Sequence, residues 1–410
     1  MRITDLNEHV IDDKAMIELT AARVKGLMAR DGMDALVVIS PDSFRYLTGL
    51  PMIHSLYMAS VNAAILHGGA DLPAILGFEG FGSKMQARAP WFNDVADLPF
   101  QGTGEGMQPF VLGSWPDIFA TKIRDLKLDE AVIAVDPTMP YALKEGIAAK
   151  LPNCRLVDAG KLLREARMVK NAEEIKALRS ACLLSEIAIE AGIDVVRAGA
   201  DERAIAAAIE YSFRINGAEN PGFTPLIMSG MHALTPYSNP SQKVVRNGEL
   251  VRIDIGCCSH GYNSCFGRTV VVGNPHPDVL VAYEAVKAAI LAGIAAVGPG
   301  TTNVAVHAAM ADAMKESSAG RHLLADYGGH GLGTGLHEDP MIGAEGTVEK
   351  IVLEAGMCIA LEPSIILPDH GWLGVEDNVV VSENGCEVLT RTAFDLGLAP
   401  SFTSQRRRPS

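Results

Sequence analysis

The sequence predicts two domains, an α/β domain followed by an α+β domain. Three observations support this. The chain has 410 residues, more than the roughly 100–200 of a common single domain. Strand-like and helix-like segments alternate over about the first 160 residues, whereas helices and strands form separate groups afterwards. Hydrophobic residues make up 48% and charged residues 20%, which is enough apolar material for a buried core.

The first domain is predicted over residues 1–165. Apolar residues at helical spacing predict a helix from residue 11 to 30, and the β-branched run that follows predicts a buried strand. The segment that starts Ser40-Pro-Asp has turn chemistry, and Gly68-Gly-Ala-Asp71 predicts a hairpin turn. Strands are predicted at 35–39, 61–67, 72–77 and 131–135, and a second helix at 141–151.

The second domain is predicted over residues 166–400, followed by a polar, basic and frayed tail over 401–410. Asn171 is a suitable cap for a helix whose first turn carries Glu173 and Glu174, because negative charge is favourable near a helix N-terminus. Helices are predicted at 171–196, 201–216, 277–296 and 303–315, and strands at 249–255, 268–273, 358–361, 376–382 and 386–389.

Charge and cysteine usage exclude some classes of function. With 35 basic and 49 acidic residues the net charge is −14, which argues against binding to nucleic acid. We expect no membrane span, because the most apolar stretch, 279–297, is interrupted by Glu284 and Lys287. The polar N-terminus is unlike a signal peptide, and seven scattered cysteines fit free thiols. These features predict a cytoplasmic protein.

Four side chains that could bind a metal ion stand at the ends of short apolar runs in the second domain. They are Asp254, His330, Glu362 and Glu376. A charged side chain between apolar neighbours is costly to bury unless it is paired or binds a metal. Three carboxylates and one imidazole suit Mn²⁺, Fe²⁺, Co²⁺ or Zn²⁺. Each residue alone has an ordinary structural explanation, so the prediction depends on all four together.

Five ordered motifs give the chain a resemblance to a known superfamily. They are Gly32-Met-Asp-Ala-Leu-Val-Val38 with Tyr46-Leu-Thr-Gly49, Met168-Val-Lys-Asn-Ala-Glu-Glu-Ile175, His330-Gly-Leu-Gly333 with His337-Glu-Asp-Pro340, Leu361-Glu-Pro363, and Val375-Glu-Asp377. Together they resemble the creatinase, aminopeptidase P, prolidase and methionine aminopeptidase superfamily, the pita-bread hydrolases. The resemblance implies a creatinase-like N-terminal domain and a catalytic domain with a curved antiparallel sheet covered by helices.

The resemblance also implies roles for individual residues. Asp254, His330, Glu362 and Glu376 take the positions of metal ligands, Glu362 that of the proton-transferring glutamate, and His337 that of a substrate-contacting histidine. It implies hydrolysis of a C–N bond in a dipeptide or small metabolite, with an Xaa-Pro dipeptide as the default substrate. A homodimer is expected as well.

Three positions depart from the superfamily pattern. Cys265 stands where a second aspartate usually bridges two metal ions, and Tyr237 stands where a histidine usually helps to bind substrate. Gly374 replaces an arginine two residues before the last glutamate. His232 lies near Tyr237 but out of register, so the histidine role is not transferred to it.

Cys265 leaves the chemistry of the site open. A thiolate is a softer ligand than a carboxylate, so the site could hold at most about one tightly bound divalent ion. It could instead be metal-free and creatinase-like, or Cys265 could be a nucleophile activated by His330, or an inert core thiol. Runner-up functions are a creatinase-like amidinohydrolase, a lyase of the dimethylsulfoniopropionate-cleaving type, and a non-catalytic binding module.

Overall fold

The protein is described here from a computed structural model. The structure describes residues 10–50, 62–78, 82–98, 114–322 and 326–394. The predicted tail at 401–410 lies outside these ranges. The described residues divide into an N-terminal unit, 11–167, and a C-terminal unit made of residue 10 and the chain from residue 168 onward. The domain boundary predicted at residue 165 falls within a helix, Gly160–Met168, that reaches this division.

The N-terminal unit is a mixed sheet with helices, as the alternating pattern predicts. Its strands are β1 Ala35–Val38, β2 Ala63–His67, β3 Ala74–Phe78, β4 Val95–Leu98, β5 Val132–Val135 and β6 Arg155–Asp158, and its helices are α1 Asp13–Arg30, α2 Pro41–Thr48, α3 Gly82–Arg88, α4 Trp115–Asp125, α5 Tyr141–Lys150 and α6 Gly160–Met168. The sheet order is β4-β3-β2-β1-β5-β6, with β2 antiparallel to both of its neighbours.

Helix α2 corrects one prediction. The Ser40-Pro-Asp segment was expected to form a turn, but it begins a helix of eight residues. The Ser40 side chain accepts a hydrogen bond from the Ser43 N–H, and Pro41 occupies the first helical position, where its missing N–H costs nothing. Gly49 ends the helix with a φ of 65°. The same residues that start turns also start helices, and burial of the following segment decides between the two.

The C-terminal unit combines helices and antiparallel strands. Its helices are α7 Ala172–Ile193, α8 Glu202–Ile215, α9 Pro277–Ala296 and α10 Asn303–Lys315. Its strands are β7 Asn220–Pro221, β8 Leu226–Ser229, β9 Leu250–Ile255, β10 Cys257–Ser259, β11 Tyr262–Asn263, β12 Phe266–Val271, β13 Tyr327–Gly331, β14 Glu338–Gly343, β15 Cys358–Leu361, β16 Ser364–Leu367, β17 Gly371–Gly374, β18 Asp377–Ser382 and β19 Gly385–Val388. Helix α7 begins with a full capping box between Asn171 and Glu174, which confirms the predicted cap.

Two sheets of this unit are joined at one point. One has the order β12-β9-β8 and the other β14-β13-β15-β18-β19. They are joined by a bridge between Gly267 on β12 and Glu376, the residue before β18. The hairpin β16–β17 connects the end of β15 to this same point. The ends of several strands therefore converge where the two sheets join.

Strand β13 was missed by the sequence analysis because glycines weaken strand propensity. Its glycines are required by close backbone contacts. A Cβ on Gly329 would lie 2.0 Å from the Ala360 carbonyl oxygen, and one on Gly331 would lie 2.3 Å from the Asp339 carbonyl oxygen. The glycine-rich sequence thus permits the tight pairing of the strand that carries His330.

Helix α9 qualifies the expectation about membrane spans. Among the described residues it is the one helix long and apolar enough, by length and composition, to cross a membrane. In its most apolar 18-residue window, 44% is buried inside the protein. Its residues Val279, Val286 and Ile290 belong to the core cluster beneath the sheet of β13, β15 and β18. Its apolar composition is thus accounted for in part by packing in this core.

Candidate metal centre

Strand register places Asp254 beside Glu376. Asp254 on β9 pairs with Gly267 on β12, and Gly267 is bridged to Glu376. The Glu376 N–H donates to the Gly267 carbonyl oxygen at 2.9 Å. Asp254 is 4% exposed and Glu376 is 0% exposed. Two carboxylates are therefore buried at the junction of the sheets.

His330 and Glu362 reach the same junction from neighbouring strands. His330 lies on β13 opposite Ala360 on β15, and Glu362 follows β15 directly. The Glu362 N–H donates to the Gly328 carbonyl oxygen at 2.9 Å, which fixes the backbone where the strand ends. His330 Nε2 lies 3.6 Å from Glu362 Oε1.

Several buried ligand atoms in this cluster have no hydrogen-bond partner among the described residues. They are Asp254 Oδ1, His330 Nε2, and both carboxylate oxygens of Glu376. His330 Nδ1 lies 2.8 Å from the Gly331 carbonyl oxygen, an arrangement that assigns the N–H to Nδ1 and leaves the Nε2 lone pair free. Unpaired buried polar atoms are costly, and a divalent cation bound between Cys265, His330 and Glu376, whose ligand atoms lie within 4.8 Å of one another, would satisfy those of His330 and Glu376. The residues present therefore fit a metal ion.

Cys265 belongs to this cluster. The ligand atoms of Cys265, His330 and Glu376 lie within 4.8 Å of one another, and the thiol is 6% exposed. A thiol, an imidazole and a carboxylate form a donor set that Zn²⁺ accepts well. Burial, and then the negative charges of Glu376 and Asp254, raise the pKa of the Cys265 thiol well above its usual value. Without a cation these surroundings oppose the thiolate, so they do not favour a cysteine nucleophile.

Burial also shifts the pKa values of two neighbouring groups. Desolvation and the nearby Asp254 charge raise the pKa of Glu362 to about 8. Burial, and then the neighbouring His337, lower the pKa of His330 to about 3. The imidazole is thus held neutral, which is the form that ligates a metal. The Tyr327 hydroxyl hydrogen-bonds to Glu362, a contact that the sequence analysis missed.

Arg252 is the second group that the sequence analysis missed. Its Nη2 donates to Asp254 Oδ2 at 3.2 Å and lies 3.6 Å from Glu376 Oε2. Its Nη1 donates to the Gly374 carbonyl oxygen at 2.9 Å. The guanidinium therefore neutralises part of the charge of the cluster. The sequence contained one indication of this contact, because an arginine two residues before Asp254 on the same strand lies on the same face of the sheet.

A cavity of about 300 Å³ opens onto the cluster. It is lined by Phe223, Thr224, Leu226, Tyr237, Asp254, Cys265, Tyr327, Leu336, His337 and Glu362. Tyr237 has a φ of 62°, unusual for a residue other than glycine, and its ring meets the edge of Trp372 at 5.3 Å between centroids. Such strain is typical of residues held in place at a functional site.

A buried ion pair supports the loop that carries His337. Lys170 Nζ lies 3.2 Å from Glu338 Oε2, with the two side chains 1% and 3% exposed. Glu338 Oε1 accepts from the Gly335 N–H at 2.8 Å. Glu174 lies close to this pair and accepts from the Tyr262 hydroxyl at 3.0 Å. This network holds the segment next to His337 against the start of α7.

The structure brings together all of the site residues inferred from sequence. Asp254, Cys265, Tyr237, His337 and Glu362 line the cavity, and the two remaining candidates, His330 and Glu376, form with Cys265 a group of ligand atoms that could hold a metal ion. The rings of His330 and His337 are 4.1 Å apart between centroids. His232, which was set aside, instead contacts buried Glu202 through Nδ1 at 2.8 Å.

Comparison with known proteins adds a second line of evidence. Residues 176–383 match metallopeptidase family M24, and residues 21–169 match the creatinase/prolidase N-terminal domain. The Xaa-Pro dipeptidase of Pyrococcus furiosus is 32% identical over 275 residues, which is 67% of this chain and 78% of that protein. The Xaa-Pro dipeptidase of Lactobacillus helveticus is 31% identical over 69% of this chain and 77% of that protein. The crystal structure of the prolidase from Pyrococcus horikoshii OT3 matches with a TM-score of 0.76 and 26% identity, covering 92% of this chain and 99% of that one.

Proposed function

The chain belongs to metallopeptidase family M24, and on this basis we propose that it is a dipeptidase of the Xaa-Pro type that works with one divalent cation. Membership makes it a hydrolase that acts on C–N bonds, with a creatinase-like N-terminal domain and a pita-bread catalytic domain. The single-ion site and the substrate are the parts proposed here.

The observation that carries the proposal is the group of buried ligand atoms of Cys265, His330 and Glu376, which lie within 4.8 Å of one another. Within this group, His330 Nε2 and the Glu376 carboxylate oxygens have no hydrogen-bond partner among the described residues, and Asp254 Oδ1 is a further buried atom without one. A bound divalent cation would supply Lewis-acid polarisation of the scissile carbonyl and would lower the pKa of a water molecule. The thiol makes Zn²⁺ a better candidate than Mn²⁺, because thiolate is a softer ligand than carboxylate.

The protein's own groups account for the proton transfers. Glu362 lies at the cavity and is 9% exposed, so its carboxylate can accept a proton from the attacking water and deliver it to the leaving nitrogen. The Tyr327 hydroxyl holds Glu362 by a hydrogen bond. His337 is half-buried in the cavity wall, where a neutral imidazole N–H can stabilise the developing oxyanion.

The cavity wall supports a substrate with a compact apolar ring. Phe223, Leu226 and Leu336 present apolar surface, and Tyr237 adds an aromatic face with a polar hydroxyl. A proline residue has such a ring. Its nitrogen carries no hydrogen once it is part of a peptide bond, so it needs no hydrogen-bond acceptor in the cavity wall. Tyr237 is the residue that we expect to contact it.

The metal-free alternatives have weaker support. In a creatinase-like or lyase site the carboxylates of Asp254, Glu362 and Glu376 would lie close together, with Arg252 as the one arginine or lysine paired with them among the described residues. A binding module has no chemical need for the unpaired His330 Nε2. A homodimer and a cytoplasmic location remain predictions.

Metal analysis combined with a substrate panel tests the proposal. We expect purified protein to bind about one equivalent of Zn²⁺ or Co²⁺ and to hydrolyse Ala-Pro faster than Ala-Ala, creatine or dimethylsulfoniopropionate. Glu376→Gln should lose the ion and the activity together, because Glu376 supplies the carboxylate in the group of candidate ligand atoms. Glu383→Gln, the same substitution at an exposed position after β18, is the matched control and should change neither.

Two results would contradict the proposal. Full Ala-Pro turnover by protein that remains metal-free after chelation would remove the cation from the mechanism. Turnover confined to creatine or to dimethylsulfoniopropionate would show that the protein has one of the alternative functions and is not a dipeptidase.

A further inference from the structure

A second group of side chains that can bind a metal ion lies at the surface of the C-terminal unit. The ligand atoms of His276, Asp278 and His370 lie within 4.8 Å of one another. The side chains of His276 and Asp278 are 53% and 71% exposed, and His370 is half-buried. None of the three lines the cavity of the buried centre. The group is therefore separate from the site described above.

This surface group joins two elements that are distant in sequence. His276 caps the N-terminus of α9, and Asp278 lies in the first turn of that helix. His370 lies in the turn of the hairpin β16–β17, where its N–H donates to the Leu367 carbonyl oxygen at 3.1 Å. The His276 and His370 rings are 4.6 Å apart between centroids. The fold thus brings two imidazoles and a carboxylate together at the turn of the hairpin.

The contact between His276 and Asp278 is one that a cation would improve. The Asp278 N–H donates to His276 Nδ1 at 3.3 Å, so Nδ1 presents its lone pair on this side. The same Nδ1 lies 3.5 Å from Asp278 Oδ2, so that in the neutral ring two acceptor atoms face each other. Two ligand atoms bound to one tetrahedral Zn²⁺ are about 3.4 Å apart, because each bond is about 2.0–2.2 Å long. The observed separation therefore suits a shared ion.

The helix cap does not prevent this ion from binding. The hydrogen bond to His276 Nδ1 is longer than the usual range of about 2.7–3.2 Å, so the lone pair can be transferred to a metal ion at small cost. The positive end of the α9 dipole opposes a cation, but the Asp278 carboxylate in the first turn offsets it. Asp369 lines the adjoining cavity of about 200 Å³ together with Asp278 and His370 and brings a second carboxylate near.

The donor set indicates the kind of ion. Two imidazoles and one carboxylate are ligands that Zn²⁺ accepts, and three protein ligands leave one position for water. Ca²⁺ and Mg²⁺ prefer oxygen ligands, so the two histidines argue against both. Imidazole also suits Cu²⁺ and Ni²⁺, and Zn²⁺ is the ion with which the site is best tested because it has no redox chemistry.

We propose that His276, Asp278 and His370 form a second, exchangeable zinc site that fastens the turn of the hairpin β16–β17 to the N-terminus of α9. The inference does not depend on the proposed function, because it concerns different residues. Since the site is exposed, its ion should be lost on dialysis, and the one equivalent expected in purified protein stays as it is. The bound ion restrains the turn of a hairpin whose strands begin and end next to Glu362 and Glu376.

Calorimetric titration with Zn²⁺ tests the site. Dialysed wild-type protein should take up one ion beyond its dialysis-resistant content. His276→Asn and His370→Asn should each weaken this uptake roughly ten-fold or more, because each removes a ligand. Asparagine is a good N-cap residue, so His276→Asn should keep α9 intact.

His260→Asn is the matched control. His260 is an exposed histidine of the same unit that is not part of the surface group, and asparagine tolerates its φ of 49°. This variant should take up the additional ion as tightly as the wild type does.

Hydrogen exchange locates the additional ion. Added Zn²⁺ should slow amide exchange in the turn at 367–371 and in the first turn of α9, in the wild type and in His260→Asn. The same addition should leave exchange at both places unchanged in His276→Asn and His370→Asn. Slowing in these two variants as well would overturn the assignment of the ligands.

The outcomes separate this inference from the proposed function. No uptake beyond the dialysis-resistant content, or uptake that a folded histidine variant retains at wild-type affinity, overturns the second site and leaves the proposed function standing. If one histidine variant fails to fold, the other decides alone. A protein whose one titratable ion is weakened in both histidine variants, with no dialysis-resistant ion, supports the second site and contradicts the proposed single-ion centre.

Discussion

Replacement of Lys170 by methionine should destabilise the C-terminal unit strongly. Lys170 and Glu338 are almost fully buried, and their charged atoms are 3.2 Å apart. At an effective dielectric constant near 20, Coulomb's law gives an attraction of about 5 kcal/mol at that distance. Removal of one partner leaves a buried carboxylate without its counter-charge, for which typical losses are about 3–5 kcal/mol. Such a loss is a large share of the roughly 5–15 kcal/mol by which proteins are stable.

The partner variant makes the reasoning specific. In Lys170→Met/Glu338→Gln both charges of the pair are removed together, and the glutamine oxygen can still accept the Gly335 N–H that Glu338 Oε1 now accepts. The double variant should therefore recover more than half of the lost stability. Lys176→Met is the matched control, because Lys176 is a partly exposed lysine of the same helix region whose ion pair with Glu173 is worth little.

Urea unfolding followed by hydrogen exchange is the suitable assay, because a chain of two units need not unfold in one transition. The protection of backbone amides in β13 and β14 from exchange reports on the stability of the loop next to His337. The reasoning would be refuted if Lys170→Met lowered the free energy of unfolding by less than about 1 kcal/mol, or if the double variant were no more stable than the single one.

Three further predictions concern the site and its surroundings. Glu362→Gln removes the proposed proton acceptor while keeping its shape, so turnover should fall by roughly 10²-fold or more at unchanged folding; wild-type turnover would remove Glu362 from the mechanism. Cys265→Asp should raise Mn²⁺ occupancy, because a carboxylate is the harder ligand; if metal content and rate both stay the same, Cys265 only fills space. Burial raises the pKa of Glu174 to about 7, so the folded state keeps a proton that the unfolded state releases above about 4.5. Stability should therefore fall as the pH rises from 4.5 to 7 in the wild type and fall less in Glu174→Gln, as urea midpoints across that range would reveal; equal pH slopes would contradict this.

Much of the fold followed from local patterns in the sequence. The sequence predicted α7 to α10, and the β-branched run at 35–39 predicted β1, because in these segments local preference and tertiary burial agree. Strand β13 was not predicted, since its glycines serve close contacts with Ala360 and Asp339 that only the folded chain reveals. The prediction of a turn at Ser40 was wrong for a different reason: the residues that favour turns there also favour the start of a helix.

The candidate site was inferred less completely. Asp254, His330, Glu362 and Glu376 were noticed because each is an acidic or imidazole side chain at the end of a short apolar run, and the superfamily resemblance gave them the predicted role of metal ligands. Arg252 was missed because its contacts with Glu376 and with the Gly374 carbonyl oxygen join residues more than 120 positions apart in the sequence. The ion pair between Lys170 and Glu338 joins residues 168 positions apart, and no spacing rule links charges over that distance.

The hairpin β16–β17 has a consequence for engineering this protein. Its two strands begin and end next to Glu362 and Glu376, and four residue pairs from Ser364–Gly374 to Leu367–Gly371 fix their alignment. The paired strands thus fix the distance between the two glutamates at one end of the hairpin, while the turn at the other end, at Pro368 and Asp369, is exposed to solvent. A peptide inserted at this turn lengthens the loop without changing the strand pairing, so a reporter or affinity tag there should leave the glutamates in place. Deletion of one residue from a single strand would shift its alignment by one position and turn its side chains to the opposite face.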